Sequence, residues 1–177
     1  PAWVRFVETK YPALIPHLSS AKSPQQMAGT VAKTYGVKVW NKPADRIYTV
    51  GIMPCTAKKL EASRPEFISA YEYNSKKGQA AGASYPDVDT VLTTRDLSRL
   101  FKKLGINLAA EKEMEGGTLL ADYTGAGTIF GNTGGVMEAA LRTAYAVITG
   151  NELKPLEFKK VRGLNGVKSA SVTIRDS

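Results

Sequence analysis

The sequence predicts an α/β domain built from short strands with flanking helices. Two observations support this fold class. Apolar residues recur at helical spacing in several segments, and short runs rich in β-branched and aromatic residues lie between them, as in residues 47–53, IYTVGIM. The 177 residues are 43% hydrophobic and 23% charged, which suffices for one domain with a sizeable core.

Two helices are predicted at the start of the chain. The first covers residues 2–11 and stops at a proline. The second begins at Pro24, because Ser23 is a good N-cap and proline suits the first helical position. This helix is predicted to end at Gly36 and to carry an apolar face formed by Met27, Val31 and Tyr35.

The middle of the chain predicts two strands, each followed by a helix. Residues 47–53 are predicted to form a buried strand that stops at a proline, and a short helix is predicted to follow from Thr56. Residues 70–85 are polar without a steady period, so they predict an exposed loop or insertion. A strand over residues 89–93 leads into a helix capped by Thr93 with Asp96 and closed by Gly105.

The last third predicts a glycine-rich segment, a long helix and two strands. The segment from Gly125 to Gly135 leads into the helix, which ends before Gly150. Met137, Leu141, Ala144 and Ile148 would form its apolar face. Strands are predicted over residues 156–161 and 167–174. Because the first helix and the last strand begin and stop abruptly, the domain is expected to be incomplete at both ends.

Charge and composition exclude several classes of protein. The net charge is +8, but the lysine pairs are scattered and no run of five like charges occurs, so no nucleic-acid face is expected. No stretch approaches about 20 apolar residues, so no membrane span is predicted. One cysteine and one histidine can form neither an internal disulfide nor a closed zinc site of the usual type.

The lone cysteine lies where the first strand turns into a helix. A thiolate there is favoured by the unpaired N–H groups of the helix start, which suits a nucleophile or an iron ligand, and Lys58 lies three residues after Cys55. The alternative is a buried structural cysteine. A papain-like thiol enzyme would have to use His17 as its base.

Two further segments have both a structural and a functional interpretation. The glycine-rich segment could bind a phosphate, although it lacks a nucleotide fingerprint, or could allow close packing against an element or cofactor. Phe130 within it is unusual. In the run LSSAKSPQQ, helix capping explains Ser23 and Pro24 but not Gln25 and Gln26.

Four motifs, in order along the chain, resemble the catalytic domain of iron-only (FeFe) hydrogenases. They are LSSAKSPQQ, MPCTAKKLE, YTGAGTIFGNTGGVMEAALR and VRGLNG. The resemblance extends from Pro1 to near Ser177 and is weakest over residues 70–85. It implies that residues 1–177 are the central segment of that domain, with residues 70–85 as a variable insertion.

The resemblance also implies roles for individual residues. Cys55 matches a ligand of a 4Fe-4S cluster, which is bridged to a diiron centre with CO and CN ligands to form the H-cluster. Lys58 matches a hydrogen-bond donor to a cyanide ligand, and Ser19 matches a serine of the proton-transfer chain. Glu61 matches an acid that pairs with basic groups. The pocket residues of the family are matched by Met53, Pro24, Gln25 and Phe130.

The sequence departs from the family where the other cluster ligands should be. The upstream TSCC motif and the downstream cysteine-rich motif are absent, so three of the four ligands are missing. The segment alone is therefore expected to be inactive, as a part of a longer enzyme or of a split assembly. The parent enzyme is expected to reduce protons reversibly to hydrogen, with electrons from ferredoxin or NAD(P)H-linked modules.

Three questions stay open at this point. The expected location is cytoplasmic, with the periplasm possible for the parent enzyme. The chain could instead belong to a non-catalytic relative, either a hydrogen sensor or an iron-sulfur assembly protein. A nucleotide-binding protein that uses residues 125–135 is a third class, which predicts nucleotide affinity in the isolated chain.

Overall fold

The computed structural model describes residues 1–80, 82–115, 124–154, 159–160, 166 and 168–174. The chain forms two compact units, Pro1–Ala121 and Asp122–Ser177. The α/β prediction is confirmed, since helices surround a small parallel sheet. In the first unit the helices and strands are α1 (Ala2–Lys10), α2 (Pro24–Ala32), α3 (Tyr35–Trp40), β1 (Val50–Met53), α4 (Ala57–Ala62), α5 (Ser69–Lys76), β2 (Thr90–Thr93) and α6 (Thr94–Leu104).

The sheet of the first unit is a parallel pair of strands. β1 pairs with β2 in a register that places Val50 opposite Thr90 and Met53 opposite Thr93. Helices α4 and α5 lie in the crossover between the strands, as a parallel connection requires. Before the strands begin, the Asp89 carboxylate accepts hydrogen bonds from the backbone N–H and the hydroxyl of Thr49, at 2.7 and 2.9 Å. Both predicted strands are therefore confirmed, although each is shorter than predicted. The prediction that the first strand is buried is wrong, since Val50 and Ile52 are 47% and 42% exposed.

Helix α2 packs closely against the segment that leads into β2. Its start is as predicted, because the Ser23 hydroxyl accepts a hydrogen bond from the N–H of Gln26 at 3.4 Å. A side chain on Gly29 would place its Cβ 2.3 Å from the carbonyl oxygen of Asp87 and 2.6 Å from Val88 Cγ2. Only glycine therefore fits at this contact.

The predicted end of α2 at Gly36 is wrong. The helix ends at Ala32, and a separate helix α3 that contains Gly36 follows after a turn. The predicted apolar face is also not buried within the unit. Met27, Val31 and Tyr35 have relative exposures of 45%, 45% and 57%.

The prediction of an exposed loop over residues 70–85 is also wrong. Helix α5 occupies its first half, and Ala70 and Tyr85 belong to a core cluster with Ala44. Asn74 is buried as well, and its amide donates hydrogen bonds to the carbonyl of Lys33 and the Tyr85 hydroxyl, both at 2.9 Å. These residues help to hold the first unit together.

The second unit contains α7 (Gly125–Phe130), α8 (Gly135–Thr149), β3 (Lys159–Lys160) and β4 (Lys168–Ser169). The start of the glycine-rich segment is a short helix capped by Thr124, not a loop, and α8 ends before Gly150 as predicted. Of the strands predicted over residues 156–161 and 167–174, the structure describes the antiparallel pair β3–β4. Residues 170–174 lie in no strand, so that part of the prediction is wrong, and the other parts lie outside the described residues. Met137 and Ile148 of the predicted apolar face of α8 are exposed.

Candidate functional site

The cysteine lies in a tight connection between β1 and α4. β1 ends at Met53, and Pro54 cannot continue the pairing because it has no N–H to donate. The N–H of Lys58 donates to the carbonyl of Cys55 at 3.3 Å, so both residues share one turn at the start of α4. Met53, Cys55 and Lys58 are all half-buried. A thiol and an ammonium are thus presented by one short segment.

The two adjacent lysines of this segment differ in their partners. Lys59 forms an ion pair with Asp96, with its Nζ 2.5 Å from Oδ2. Among the residues that the structure describes, no group accepts a hydrogen bond from the Lys58 ammonium. The Lys58 charge is therefore available to an anionic group.

Helix α2 brings two buried amides into the unit. Gln25 is 5% exposed and Gln26 is fully buried, and in the described part of the chain all four of their amide N and O atoms lack partners. A Cβ on Gly51 of β1 would lie 2.8 Å from the Gln25 Oε1 atom. The SPQQ motif thus lies against the strand that leads to Met53 and Cys55. An unsatisfied buried polar group costs about 1–3 kcal/mol, so these amides are suited to bind a further group.

A cleft of about 410 Å³ lies beside the loop that precedes α2. Its lining includes Ser19, Pro24 and Glu61. The Ser23 hydroxyl donates to the Glu61 carboxylate at 2.8 Å, and Glu61 is 7% exposed. The Ser19 oxygen accepts a hydrogen bond from the N–H of Ala21 at 3.1 Å. The cleft therefore combines hydroxyl groups with a nearly buried carboxylate.

A second ion pair fixes the rim of the cleft. Arg64 donates two hydrogen bonds to the carboxylate of Glu8 in α1, at 2.7 and 2.6 Å, and one to Glu66 at 3.3 Å. This bidentate contact lowers the pKa of Glu8 and raises the pKa of the Arg64 guanidinium. The Glu61 carboxylate keeps Ser23 as its hydrogen-bond partner, while the Glu61 carbonyl accepts from the N–H of Arg64 at 3.1 Å.

The predicted site residues of the first unit lie in two places, since Cys55 and Lys58 share one turn while other residues lie around the start of α2. Ser19 and Pro24 line one cleft, and Gln25 contacts the strand that ends at Met53. Phe130 lies in the second unit, at the end of α7, and is 41% exposed. No local pattern in the sequence indicates the ion pair between Lys22 of the cleft and Asp87, because 65 positions separate the two residues.

The donor set limits what the segment could hold by itself. Within the described residues, no group of three or more His, Cys, Asp or Glu side chains could hold a metal ion. Cys55 could supply one thiolate, and Lys58 and Gln25 could supply hydrogen-bond donors around it. None of the described helices has the length and apolar composition that crossing a bilayer needs.

Comparisons with known proteins give one consistent family. The model of the iron-only hydrogenase large subunit, C-terminal domain, matches residues 1–177. The periplasmic [Fe] hydrogenase large subunit of Nitratidesulfovibrio vulgaris is 45% identical over 174 residues, which cover 98% of this chain and 38% of that protein. The NADP-reducing hydrogenase subunit HndD of Solidesulfovibrio fructosivorans is 45% identical over 177 residues, or 100% of this chain and 28% of that protein.

The structural comparison agrees with the sequence comparison. The [FeFe]-hydrogenase whose structure reveals stepwise H-cluster assembly has a TM-score of 0.66 and 41% identity, covering 95% of this chain and 38% of that chain. The cytosolic Fe-S cluster assembly factor nar1 of Emericella nidulans is also related, with 43% identity over 108 residues that cover 61% of this chain and 18% of that protein. The chain thus spans less than two fifths of the length of the hydrogenases it matches.

Proposed function

The chain belongs to the iron-only hydrogenase large-subunit family, and on that basis we propose that it is the central segment of a catalytic domain that reversibly reduces protons to hydrogen. The observation that carries this proposal is the unbroken similarity to hydrogenases, at 45% identity over 98% to 100% of the chain. The assembly factor nar1 matches over 61% of the chain, and an assembly component of Pongo abelii matches over 92% at only 32% identity. The higher identity to hydrogenases favours the catalytic branch over the assembly branch.

The residues present fit one part of the H-cluster. Cys55 supplies one thiolate to the 4Fe-4S cluster, and the three other thiolates come from the remainder of the parent enzyme, since this chain has no second cysteine. When bound, the H-cluster supplies the redox chemistry that interconverts protons, electrons and hydrogen. The segment alone is therefore inactive.

Lys58 and Gln25 would supply hydrogen-bond donors to the cofactor. A half-buried ammonium is costly without an anion, and a metal-bound cyanide is an anion that Lys58 can bind. The Gln25 amide is buried and has no partner within the described residues, so it is free to bind a group of the cofactor pocket. Within the first unit, Met53 and Pro24 would add apolar lining to this pocket.

Ser19 transfers protons towards the pocket. Its oxygen accepts a hydrogen bond from the N–H of Ala21, which leaves its own O–H available to donate. A hydroxyl can donate and accept at once, so Ser19 can pass a proton without becoming charged. The serines and the carboxylate of Glu61 in the cleft provide the polar surroundings that such a transfer needs.

The remaining parts of the proposal concern partners and location. Electrons arrive from ferredoxin or from NAD(P)H-linked modules of the parent enzyme, in line with a relative that is named as NADP-reducing. The cytoplasm is the proposed compartment, although one relative is named as periplasmic.

The adjacent lysines provide a matched test of the pocket. In the complete parent enzyme, Lys58→Ala should reduce the intensity of the CO and CN infrared bands per protein and the rate of hydrogen evolution at least tenfold. Lys59→Ala should retain both, because its partner is Asp96 and not the cofactor. Equal behaviour of the two variants would contradict the role given to Lys58.

A further inference from the structure

The loop that carries Ser19 is fixed by an ion pair between a half-buried lysine and a buried aspartate. Lys22 lies at the end of this loop and lines the cleft. Its ammonium is 2.5 Å from Asp87 Oδ2 and 2.6 Å from the Ser69 hydroxyl, and it lies 5.4 Å from the centre of the Phe67 ring. These contacts hold one end of the loop against a segment 65 positions away.

The anion of this pair is itself rigidly held. Asp87 is fully buried. Its Oδ1 accepts a hydrogen bond from the N–H of Ala70 at 2.7 Å, and its Oδ2 accepts one from the N–H of Ser69 at 3.2 Å, both at the start of α5. The carboxylate therefore cannot move towards Lys22 or away from it without uncapping a helix.

A second ion pair holds the opposite end of α2. Lys33, just after the helix, lies 2.6 Å from Asp89 Oδ2 and donates to the carbonyl of Pro86 at 2.8 Å. Lys33 is nearly as buried as Asp87. Lys33 does not line the cleft, whereas Lys22 does. The two pairs are alike in chemistry and differ in what they position.

Buried ion pairs contribute little net stability compared with apolar residues of similar size, but they fix geometry when both partners are fully bonded. Lys22 is three residues from Ser19, and the Ala21-to-Ser19 hydrogen bond closes the turn between them. We propose that Lys22, anchored by Asp87, is a positioning residue that fixes the Ser19 hydroxyl for proton transfer. This inference rests on the proposed function only for the role of Ser19.

The first experiment measures the loop without the cofactor. Amide hydrogen exchange is followed by mass spectrometry in the complete parent enzyme, prepared without its diiron centre. Lys22→Met should raise exchange of residues 19–23 at least tenfold, while the matched variant Lys33→Met should leave that segment unchanged. Equal exchange in wild type and Lys22→Met, or an equal rise in both variants, would overturn the anchoring role.

The second experiment measures proton transfer in the loaded enzyme. Lys22→Met should lower hydrogen evolution about tenfold and raise the solvent H/D isotope effect, with unchanged CO and CN infrared bands. Lys22→Arg should restore the rate, since a guanidinium keeps the charge and the donors for Asp87. A wild-type rate and isotope effect in Lys22→Met would overturn the positioning role.

The two experiments separate this inference from the proposed function. A wild-type enzyme that binds the cofactor but evolves no hydrogen would overturn the proposed function and the proton-transfer role together. The exchange difference between Lys22→Met and Lys33→Met would still report whether the loop is anchored. Asp87→Asn serves as a second variant in both experiments, because it removes the charge and keeps an acceptor for the N–H of Ala70.

Discussion

Gly29→Ala tests the closest backbone contact of the first unit. Gly29 is buried on α2, against the segment that leads into β2. The added Cβ would lie 2.3 Å from the Asp87 carbonyl oxygen and 2.6 Å from Val88 Cγ2. The first of these atoms belongs to the backbone, so it cannot turn away as the end of a flexible side chain could.

The cost of this substitution follows from the required movement. An ordinary contact begins at 3.4 Å, so α2 would have to retreat by 3.4 minus 2.3, or 1.1 Å. Overpacking lowers the free energy of unfolding by about 1–3 kcal/mol. A clash with rigid backbone is expected to cost about 3 kcal/mol, at the upper end of this range. Alanine favours a helix over glycine by about 1 kcal/mol. The expected net loss of unfolding free energy is therefore about 2 kcal/mol.

Urea unfolding of the complete enzyme without its cofactor would measure this loss. Gly127→Ala is the matched control, because the nearest atom to its Cβ would be the Thr124 hydroxyl oxygen at an ordinary 3.5 Å. The control should be neutral or stabilising by up to about 1 kcal/mol. A Gly29→Ala variant as stable as the wild type would refute the close packing of α2 on Asp87.

Three further predictions concern the caps and ion pairs of the first unit. Thr93→Ala should lower the unfolding free energy in urea by about 1 kcal/mol by removing the capping box of α6, and no change would contradict that box. Lys59 and the Thr93 hydroxyl lower the pKa of Asp96, so its contribution to stability should be present above about pH 4 and be lost on further acidification. Between pH 7 and pH 3, the free energy of unfolding in urea should therefore fall less steeply for Asp96→Asn than for the wild type. An equal fall in both proteins would contradict this contribution of Asp96. Arg64→Met should speed hydrogen exchange in α1 by releasing Glu8, and unchanged exchange would argue against that anchor.

Local signals in the sequence were sufficient for the starts of α2 and α6 and for the end of α6, but not for the end of α2. Ser23 and Pro24 start α2, and Thr93 with Asp96 starts α6, because a cap depends on a few adjacent residues. Gly105 ends α6 in the left-handed conformation, with φ of 69°. These predictions succeeded since the physical cause lies within one turn of the chain.

Burial was harder to predict because it depends on distant partners. Helix α5 was missed because its buried residues are a small one, Ala70, and a polar one, Asn74, which form no apolar stripe. Conversely, Met27 and Val31 do form such a stripe, but their spacing cannot show whether this chain supplies a surface to cover it. The spacing of apolar residues was therefore not enough to predict the burial of either α5 or α2.

The sequence could suggest candidate site residues only where they are close together in the chain. The turn of Cys55 and Lys58 and the run that contains Gln25 were identified from local motifs. The pairs Lys22 with Asp87 and Ser23 with Glu61 join residues 65 and 38 positions apart, and no local pattern indicates them. These contacts form only when the folded chain brings the residues around the start of α2 close to distant segments.

The most direct test of the account is the iron content of a Cys55→Ala variant of the complete enzyme. The neighbouring Thr56→Ala variant is the control, because the Thr56 side chain makes no capping hydrogen bond. In enzyme prepared without its diiron centre, Cys55→Ala should lose the electron paramagnetic resonance signal of the 4Fe-4S cluster and about four iron atoms per protein, while the control keeps both. A full signal and an unchanged iron content in Cys55→Ala would contradict the proposed ligand role.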